Sequence, residues 1–413
     1  MRSLSDWLDY IGQIHPVGWD LGLDRVNRVA TALNVKHPAS TVILVAGTNG
    51  KGSCCEALNT LSMEAGLKTG LTTSPHIHQF SERICIGGRP VEDEEIVAAF
   101  DHIEEARGET TLTYFEFASL AALVIFESNA LDVAILEIGL GGRLDAMNVV
   151  DPDISVVLPI ALDHQEYLGD SREQIGAEKA GILRPGQPAV VGDPDPPQSL
   201  VQAAQSASVV AHYGKEFGWE GNRLWWSKDG QILEATVESP KLPPTSLAAA
   251  MQTAAILSWP VTPAKLPSLE LLGRQSIVRM GGKTVLLDVA HNPHAVGRLK
   301  EKISEWRASN PSADVLAVLG IYKDKAVDDI ASLLAGVVTK FYCSEVAETR
   351  ALSKDRLVDA LHKRGLEAEA LKTIGAALEV AMGRSEQNDL IVVFGSFPVV
   401  GEALNYFHHL SLE

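Results

Sequence analysis

The stretch VILVAGTNGKGS, Val42 to Ser53, runs a β-branched segment into a glycine-rich turn and then into a helical pattern. In the general phosphate-binding loop, G-x-x-x-x-G-K-[ST], backbone amides cradle phosphates, Lys reaches the terminal phosphates and Ser/Thr ligates Mg²⁺. Here Val45 stands where the opening Gly is expected, and Gly52 separates Lys51 from Ser53. The residue types still suit an anion. Gly47, Gly50 and Gly52 let the backbone approach a phosphate closely, and the N–H groups of a helix N-terminus point at it. Lys51 adds a point charge and Ser53 an oxygen for a metal. The bland alternative is a tight turn that uses glycine for geometry alone; a Lys and a Ser placed where phosphate chemistry wants them speak against it.

The rest of the chain limits what such a loop can serve. At 413 residues two domains are expected, and 46% hydrophobic with 21% charged residues is ordinary globular composition. A formal net charge of −18 opposes a nucleic-acid surface, so no nucleic acid is expected as partner and any anionic ligand must meet local cations. Cys54, Cys55, Cys85 and Cys343 have neither disulfide-framework nor metal-ligand spacing, which fits a reducing cytoplasm. The N-terminus lacks a signal-peptide core, and the longest apolar stretch, FASLAALVIF from Phe117, is too short to cross a bilayer; no membrane partner is expected.

Strand candidates alternate with helical stretches along the whole chain. Thr41 to Ala46, Gly66 to Ser74, Asp132 to Gly139 and Asp153 to Ile160 read as strands, and Cys54, Leu58, Leu61 and Ala65 recur at helical spacing until Gly66. The alternation predicts an α/β fold with a mostly parallel sheet. EFGWEGNRLWWSKDGQILEATVE reads as an antiparallel ribbon appended to the first domain. Pro-rich stretches at Glu238–Ser246 and Trp259–Ser268 suggest a linker, and four further strand candidates follow: KTVLLDVA, ADVLAVLG, VTKFYC and DLIVVFGS. The expected domains are residues 1–266, a central P-loop ATPase-type domain, and 267–413, a smaller C-terminal Rossmann-like domain.

Several polar residues end strand candidates. Glu137 closes DVAILE among apolar residues, a familiar position for a Mg²⁺ ligand beside a phosphate loop, and the turn after it presents Arg143 and Asp145, which could equally form a surface ion pair. His164 and Glu166 follow the next strand, expected beside that of Glu137. Lys179, among Ala and Ile in GAEKAGI, needs a partner or a modification unless it snorkels. In the second domain Asp288 ends a strand and precedes His291 and Asn292; these could contact a ribose, a base or a phosphate, while Asn292 and Pro293 also fit a helix N-cap and first position. Arg274 and Lys323 lie near other strand ends.

Together VAGTNGKGS, TSPHIHQFSERICIGG, TYFEFAS, LEIGLGGRLDAMN, ALDHQEYLG, IGAEKAGI, DVAHNP and GSF resemble the folylpolyglutamate synthase and dihydrofolate synthase ligases, ATP-dependent relatives of the Mur peptidoglycan ligases. The motifs run in order over almost the whole chain, and HPVGWDLGLDRV with TYFEF looks like the bacterial bifunctional form. In that family the loop reads G-T-N-G-K-G-[ST], which accounts for Gly52. The resemblance implies that Gly47, Thr48, Asn49, Gly50, Lys51, Gly52 and Ser53 hold the phosphates of ATP and that Ser74, Glu137 and His164 ligate Mg²⁺. It implies that Lys179 is carbamylated, that Leu21, Gly22, Tyr114, Phe115 and Asp145 face the pteroate, and that Arg274, Asp288 and His291 contact nucleotide and γ-phosphate. Lys179, His291 and Lys51 are thereby the expected catalytic residues. Dihydropteroate, reduced folates and L-glutamate are the implied substrates, and a monomer is expected.

Three departures stand out: Leu247 where the family commonly has Asn, Ala326 in place of the second Asp of D-K-D, and no Pro before Gly273-Arg274. A nucleotide-binding regulator that has lost its chemistry is the alternative these departures leave. A Mur-type ligase acting on a nucleotide-linked sugar is disfavoured, because the loop begins too near the N-terminus to leave room for a sugar-binding domain.

Overall fold

The computed structural model describes residues 2–17 and 20–412, with side chains through 408. Gly18 and Trp19 of HPVGWDLGLDRV lie outside the described residues. The chain divides into two compact units, Met1–Leu269 and Glu270–Glu413. No helix among the described residues is long and apolar enough to cross a membrane.

The first unit is built on an eight-stranded sheet. Its strands are β1 (Ala39–Ala46), β2 (Thr69–Thr72), β3 (Ile84–Ile86), β4 (Arg89–Pro90), β5 (Leu131–Glu137), β6 (Ile154–Val157), β7 (Ala189–Val191) and β8 (Val210–His212), in the order β4-β3-β2-β5-β1-β6-β7-β8. All pairings are parallel except those of the β3–β4 hairpin, which joins β2 antiparallel at one edge. Strand β1 is buried on both faces from Val42 to Ala46, which is why it reads as a continuous apolar run. It lies between β5 and β6, with Val45 opposite both Glu137 and Val156. The chain thus leaves β1 in one direction and returns on its other side, and such a switch point opens a crevice at the carboxyl ends of the strands.

Helix Lys51–Glu64 starts at that crevice and packs between the sheet and helix Pro244–Ile256. On the opposite face, helix Tyr114–Ser128 opens with a capping box between Thr113 and Glu116. Phe117 of that helix meets Trp7 and Phe100, and Phe80 meets Phe100, with ring centroids 5.4–6.0 Å apart. Each such pair stabilises by about 0.5–1.5 kcal/mol beyond the area it buries. The expected ribbon is present as β9 (Gly218–Glu220), β10 (Arg223–Lys228) and β11 (Gln231–Thr236), antiparallel throughout. The Gln252 side chain accepts from Ser227 N and donates to Ser227 O, which fixes β10 to helix Pro244–Ile256.

The second unit holds β12 (Ser276–Met280), β13 (Lys283–Asp288), β14 (Val315–Leu319), β15 (Lys340–Cys343), β16 (Ala368–Ala370) and β17 (Leu390–Phe394), ordered β12-β13-β17-β14-β15-β16. Only β12 runs antiparallel. One apolar cluster on the sheet includes Val296, Leu299, Ile303 and Ile330, and another includes Ile374, Leu378, Val399 and Ala403, so helices cover both faces in the Rossmann manner.

Candidate active site

At the carboxyl end of β1 the backbone turns through Gly47 to Gly50 into helix Lys51–Glu64. Two glycines are required sterically. Gly47 has φ 152°, and a Cβ there would stand 2.7 Å from Leu158 Cβ; Gly50 has φ 85°, and its Cβ would collide with Ser246 Oγ. Thr48 staples the loop to the segment after β6: its N–H donates to Pro159 O at 3.0 Å, its hydroxyl donates to Ala161 O at 3.1 Å, and the same hydroxyl accepts from Ala161 N at 3.0 Å. Lys51 Nζ donates back to Gly47 O at 3.2 Å. Ser53 Oγ is fully buried with no hydrogen-bond partner, an uncompensated polar atom that a ligand would satisfy. Gly52 faces Glu137, whose carboxylate oxygens lie 3.8 and 4.0 Å from the position of a Cβ. Those are ordinary contact distances, so Gly52 lies against the carboxylate without being required there sterically.

Glu137 is the last residue of β5 and is buried; its Oε2 accepts from Ser74 N at 3.0 Å. The structure thus brings Ser74 and Glu137 together. His164 does not follow an adjacent strand as expected: β1 separates β5 from β6, because parallel pairing is decided by sheet order and not by succession in sequence. His164 lies seven residues beyond β6, with φ 50°, opening the short helix Gln165–Leu168, and its N–H donates to Asp163 Oδ1 at 2.9 Å. Glu166 is exposed.

Arg143 and Asp145 are not a surface ion pair. Arg143 forks onto Glu178 Oε1, with Nε at 3.1 Å and Nη2 at 2.7 Å, and its N–H donates to Glu178 O at 2.8 Å. Asp145 is buried and accepts from Leu140 N and Met147 N, each at 2.9 Å; burial nevertheless raises its pKa to about 6. The Gly139–Arg143 turn is thereby folded onto helix Arg172–Ala180, which carries Lys179. That lysine is only 4% exposed, so it does not snorkel, and its Nζ is 3.5 Å from Gly141 O. Burial, and then the charge of Lys51, depresses its pKa to about 7 against the opposing pull of Asp163, Asp145 and Glu178.

On the other side of the Gly139 turn, the Phe115 ring sits where a residue-139 side chain would project. Leu21, Tyr114 and Phe115 are half-buried against the core of the first unit, and Gly22 has open space around it. Arg25 ties their two segments together, with Nη1 on Asp20 Oδ2 at 2.6 Å and Nη2 on Glu116 Oε1 at 3.2 Å. Sequence reading missed two further side chains here, His76 and Arg83. Arg83 Nε donates to His76 Nδ1 at 2.8 Å, and the guanidinium lies 5.5 and 5.7 Å from the Phe80 and Tyr114 ring centres. The signal was a cation within FSERICI, Phe80 to Ile86, where Phe80 and Ile84 are both core residues.

In the second unit Asp288 ends β13, buried, with its pKa raised to about 6 by burial against the charges of Arg274, Arg298 and His291. His291 Nδ1 faces Val289 O at 2.8 Å, which places the ring proton on Nδ1. Asn292 caps helix Pro293–Ser309 by accepting from Ala295 N, with Pro293 at the first position. The Arg274 guanidinium lies 4.8 Å from the Phe397 ring centre, and Lys323 Nζ donates to Thr349 O at 2.9 Å. Ala326 opens helix Val327–Leu334 without a side-chain cap, while the buried Lys325 pairs with Asp324 at 3.1 Å. Leu247 is wholly core; its neighbour Ser246 meets the phosphate loop, donating to Gly50 O at 3.0 Å.

A phosphate loop, a buried acid on the neighbouring strand and a buried lysine, followed by a second α/β unit, define a class of ligase. The Mur ligase middle domain matches residues 45–236 and the Mur ligase glutamate ligase domain matches residues 273–397. The chain is 37% identical over 407 residues to the dihydrofolate synthase/folylpolyglutamate synthase of Escherichia coli (strain K12), covering 97% of this chain and 94% of that one. The Haemophilus influenzae protein of the same description is 34% identical over 422 residues, covering 97% and 96%. Among solved structures, Escherichia coli FolC in complex with DHPP and ADP superposes with a TM-score of 0.91 at 36% identity over 99% of both chains. The Yersinia pestis bifunctional enzyme complexed with AMPPNP and Mn ion gives 0.89 at 35% identity, covering 99% of this chain and 98% of that one. The chain belongs to the dihydrofolate synthase/folylpolyglutamate synthase family and is an ATP-dependent ligase.

Proposed function

We propose that the chain joins L-glutamate to 7,8-dihydropteroate and adds further glutamates to reduced folates, using ATP and Mg²⁺. The observation that carries this reading is the convergence at the ends of β1 and β5. The glycine-rich loop, Lys51, an unpartnered buried Ser53 hydroxyl and buried Glu137 meet beside Lys179, a buried amine whose pKa is about 7. The buried oxygen donors suit a hard divalent cation. Ser74, Glu137 and His164 are assigned to hold it. When bound, it supplies charge neutralisation at the β- and γ-phosphates of ATP.

Gly47–Ser53 hold the triphosphate in this reading. The pteroate, resting against Leu21, Gly22, Tyr114, Phe115 and Asp145, presents its carboxylate to the γ-phosphorus. A carboxylate oxygen attacks, the bond to ADP breaks, and an acyl phosphate forms. The glutamate amine then attacks the acyl carbon, loses a proton, and phosphate leaves with the carboxylate oxygen. Lys51 offsets the charge that builds as two anions meet. Lys179, whose amine burial makes easier to deprotonate, would add CO₂ and release a proton to become a carbamate, an anion suited to a site that holds a cation. Arg274, Asp288 and His291 are assigned to nucleotide and γ-phosphate contacts. The loop, Ser74, Glu137, His164 and Lys179 are all present, and Ser246 meets the loop beside Leu247, so the site favours an active ligase over a nucleotide-binding regulator.

The test is ADP release by purified protein. It should require Mg²⁺, 7,8-dihydropteroate and L-glutamate together, and chelation by EDTA should abolish it. ATP turnover indifferent to pteroate and folate alike overturns the assignment.

A further inference from the structure

Arg83 is a half-buried cation for which the phosphate loop and the metal ligands give no reason. Its guanidinium is packed beside Phe80 and Tyr114, and those two rings meet edge-on with centroids 6.1 Å apart. Its Nε is spent on His76 Nδ1. His76 accepts through Nδ1, so it orients the arginine and brings no negative charge to it. No carboxylate lies within ion-pair distance of Arg83 among the described residues. The adjacent Glu82 is engaged elsewhere, accepting from the N–H groups of Ile77, His78 and Gln79 at 2.7–2.8 Å. The backbone is fixed as well, with Thr73 N donating to Arg83 O at 3.1 Å, so Arg83 stands beside Ser74 and within electrostatic reach of Glu137.

A half-buried guanidinium whose orientation is fixed by His76, and whose outer nitrogens have no protein acceptor among the described residues, presents an open fork to an anion. The planar fork matches a carboxylate with two parallel N–H···O bonds. Tyr114, on one flank, belongs to the pteroate side; Ser74 and Glu137, on the other, belong to the phosphate side. We infer that Arg83 binds the carboxylate of the pteroate or folate substrate that is to be activated, holding it in line for the γ-phosphate. This rests on the function proposed above and adds to it a residue that binds and aligns the acid.

Calorimetric binding and turnover of the full-length Arg83→Met and Arg83→Lys variants test it. Two charge-assisted hydrogen bonds lost should raise the dihydropteroate Kd of Arg83→Met about 100-fold, while ATP affinity stays within about twofold. Arg83→Lys, which keeps the charge and loses the fork, should fall between. A dihydropteroate analogue lacking the carboxylate should bind Arg83→Met as well as it binds the wild type. Should Arg83→Met fail to fold, Arg83→Lys with the same analogue supplies the comparison. Unchanged dihydropteroate affinity, or a loss confined to ATP, overturns the inference. ADP release by the wild type separates the two failures: if that is intact and the variants are unaffected, only the role of Arg83 falls; if the wild type ignores dihydropteroate, both readings fall.

Discussion

Lys179 has the burial of a core residue and the charge of a surface one, and the role proposed for it in the reaction comes at a cost in stability. Its folded pKa of about 7 lies below the ordinary lysine value of 10.5. Between those values the unfolded chain holds a proton that the folded chain does not, so folding must release it. The penalty is largest below pH 7, shrinks as pH rises, and is gone above about 10.5. In CO₂-free buffer, Lys179→Met should therefore raise the midpoint of thermal unfolding at pH 7, and that gain should diminish toward pH 10. The same variant should lose ligase activity by about 100-fold or more, with small carboxylates restoring part of it and bicarbonate none. Full activity, or a gain that grows with pH, contradicts the account. The oddity of this lysine was readable from its Ala and Ile neighbours. The roles of Arg143 and Asp145 were not, because Glu178 lies 35 residues from Arg143 and the Asp145 partners are amides of a folded turn.

At the level of elements, the loop depends on a helix almost two hundred positions away. Ser246 donates to Gly50 O and also occupies the space that a Gly50 side chain would need. Gly50→Ala adds positive-φ strain to that collision, and the loss should be about 1–3 kcal/mol of stability with a raised KM for ATP. Ser246→Ala should cost about 1 kcal/mol, a single hydrogen bond. Combined, the two should cost less than their sum, since removing the hydroxyl also removes the obstacle; denaturant titrations of the three variants decide it, and strict additivity counts against the coupling. Which elements could be read from sequence follows from length and environment. Buried runs such as β1, β5, β13 and β17 announce themselves, whereas β3, β4, β7, β8 and β16, of two or three residues each, carry no period to detect. The placement of β1 between β5 and β6 is a non-local fact, and the mistaken pairing of the Glu137 and His164 strands followed from it.

The whole molecule carries a net charge of −18, yet the reaction assigned to it brings ATP and a carboxylate together. Their attraction to the protein must come from local positive groups, and in the first unit those assigned to it are Lys51, the loop amides and Arg83. The two-unit architecture and the phosphate loop were visible in the sequence because ordered motifs span it. Arg83 was not, because a half-buried cation without a carboxylate partner is recognised only once its surroundings are seen. The account turns on one event, transfer of phosphate from ATP to the substrate carboxylate before the amide forms. Dihydropteroate labelled with ¹⁸O in its carboxylate, incubated with the enzyme, ATP, Mg²⁺ and L-glutamate, tests this most directly by mass spectrometry of the released phosphate. The account predicts one ¹⁸O atom in each phosphate released with dihydrofolate; phosphate free of ¹⁸O would contradict it.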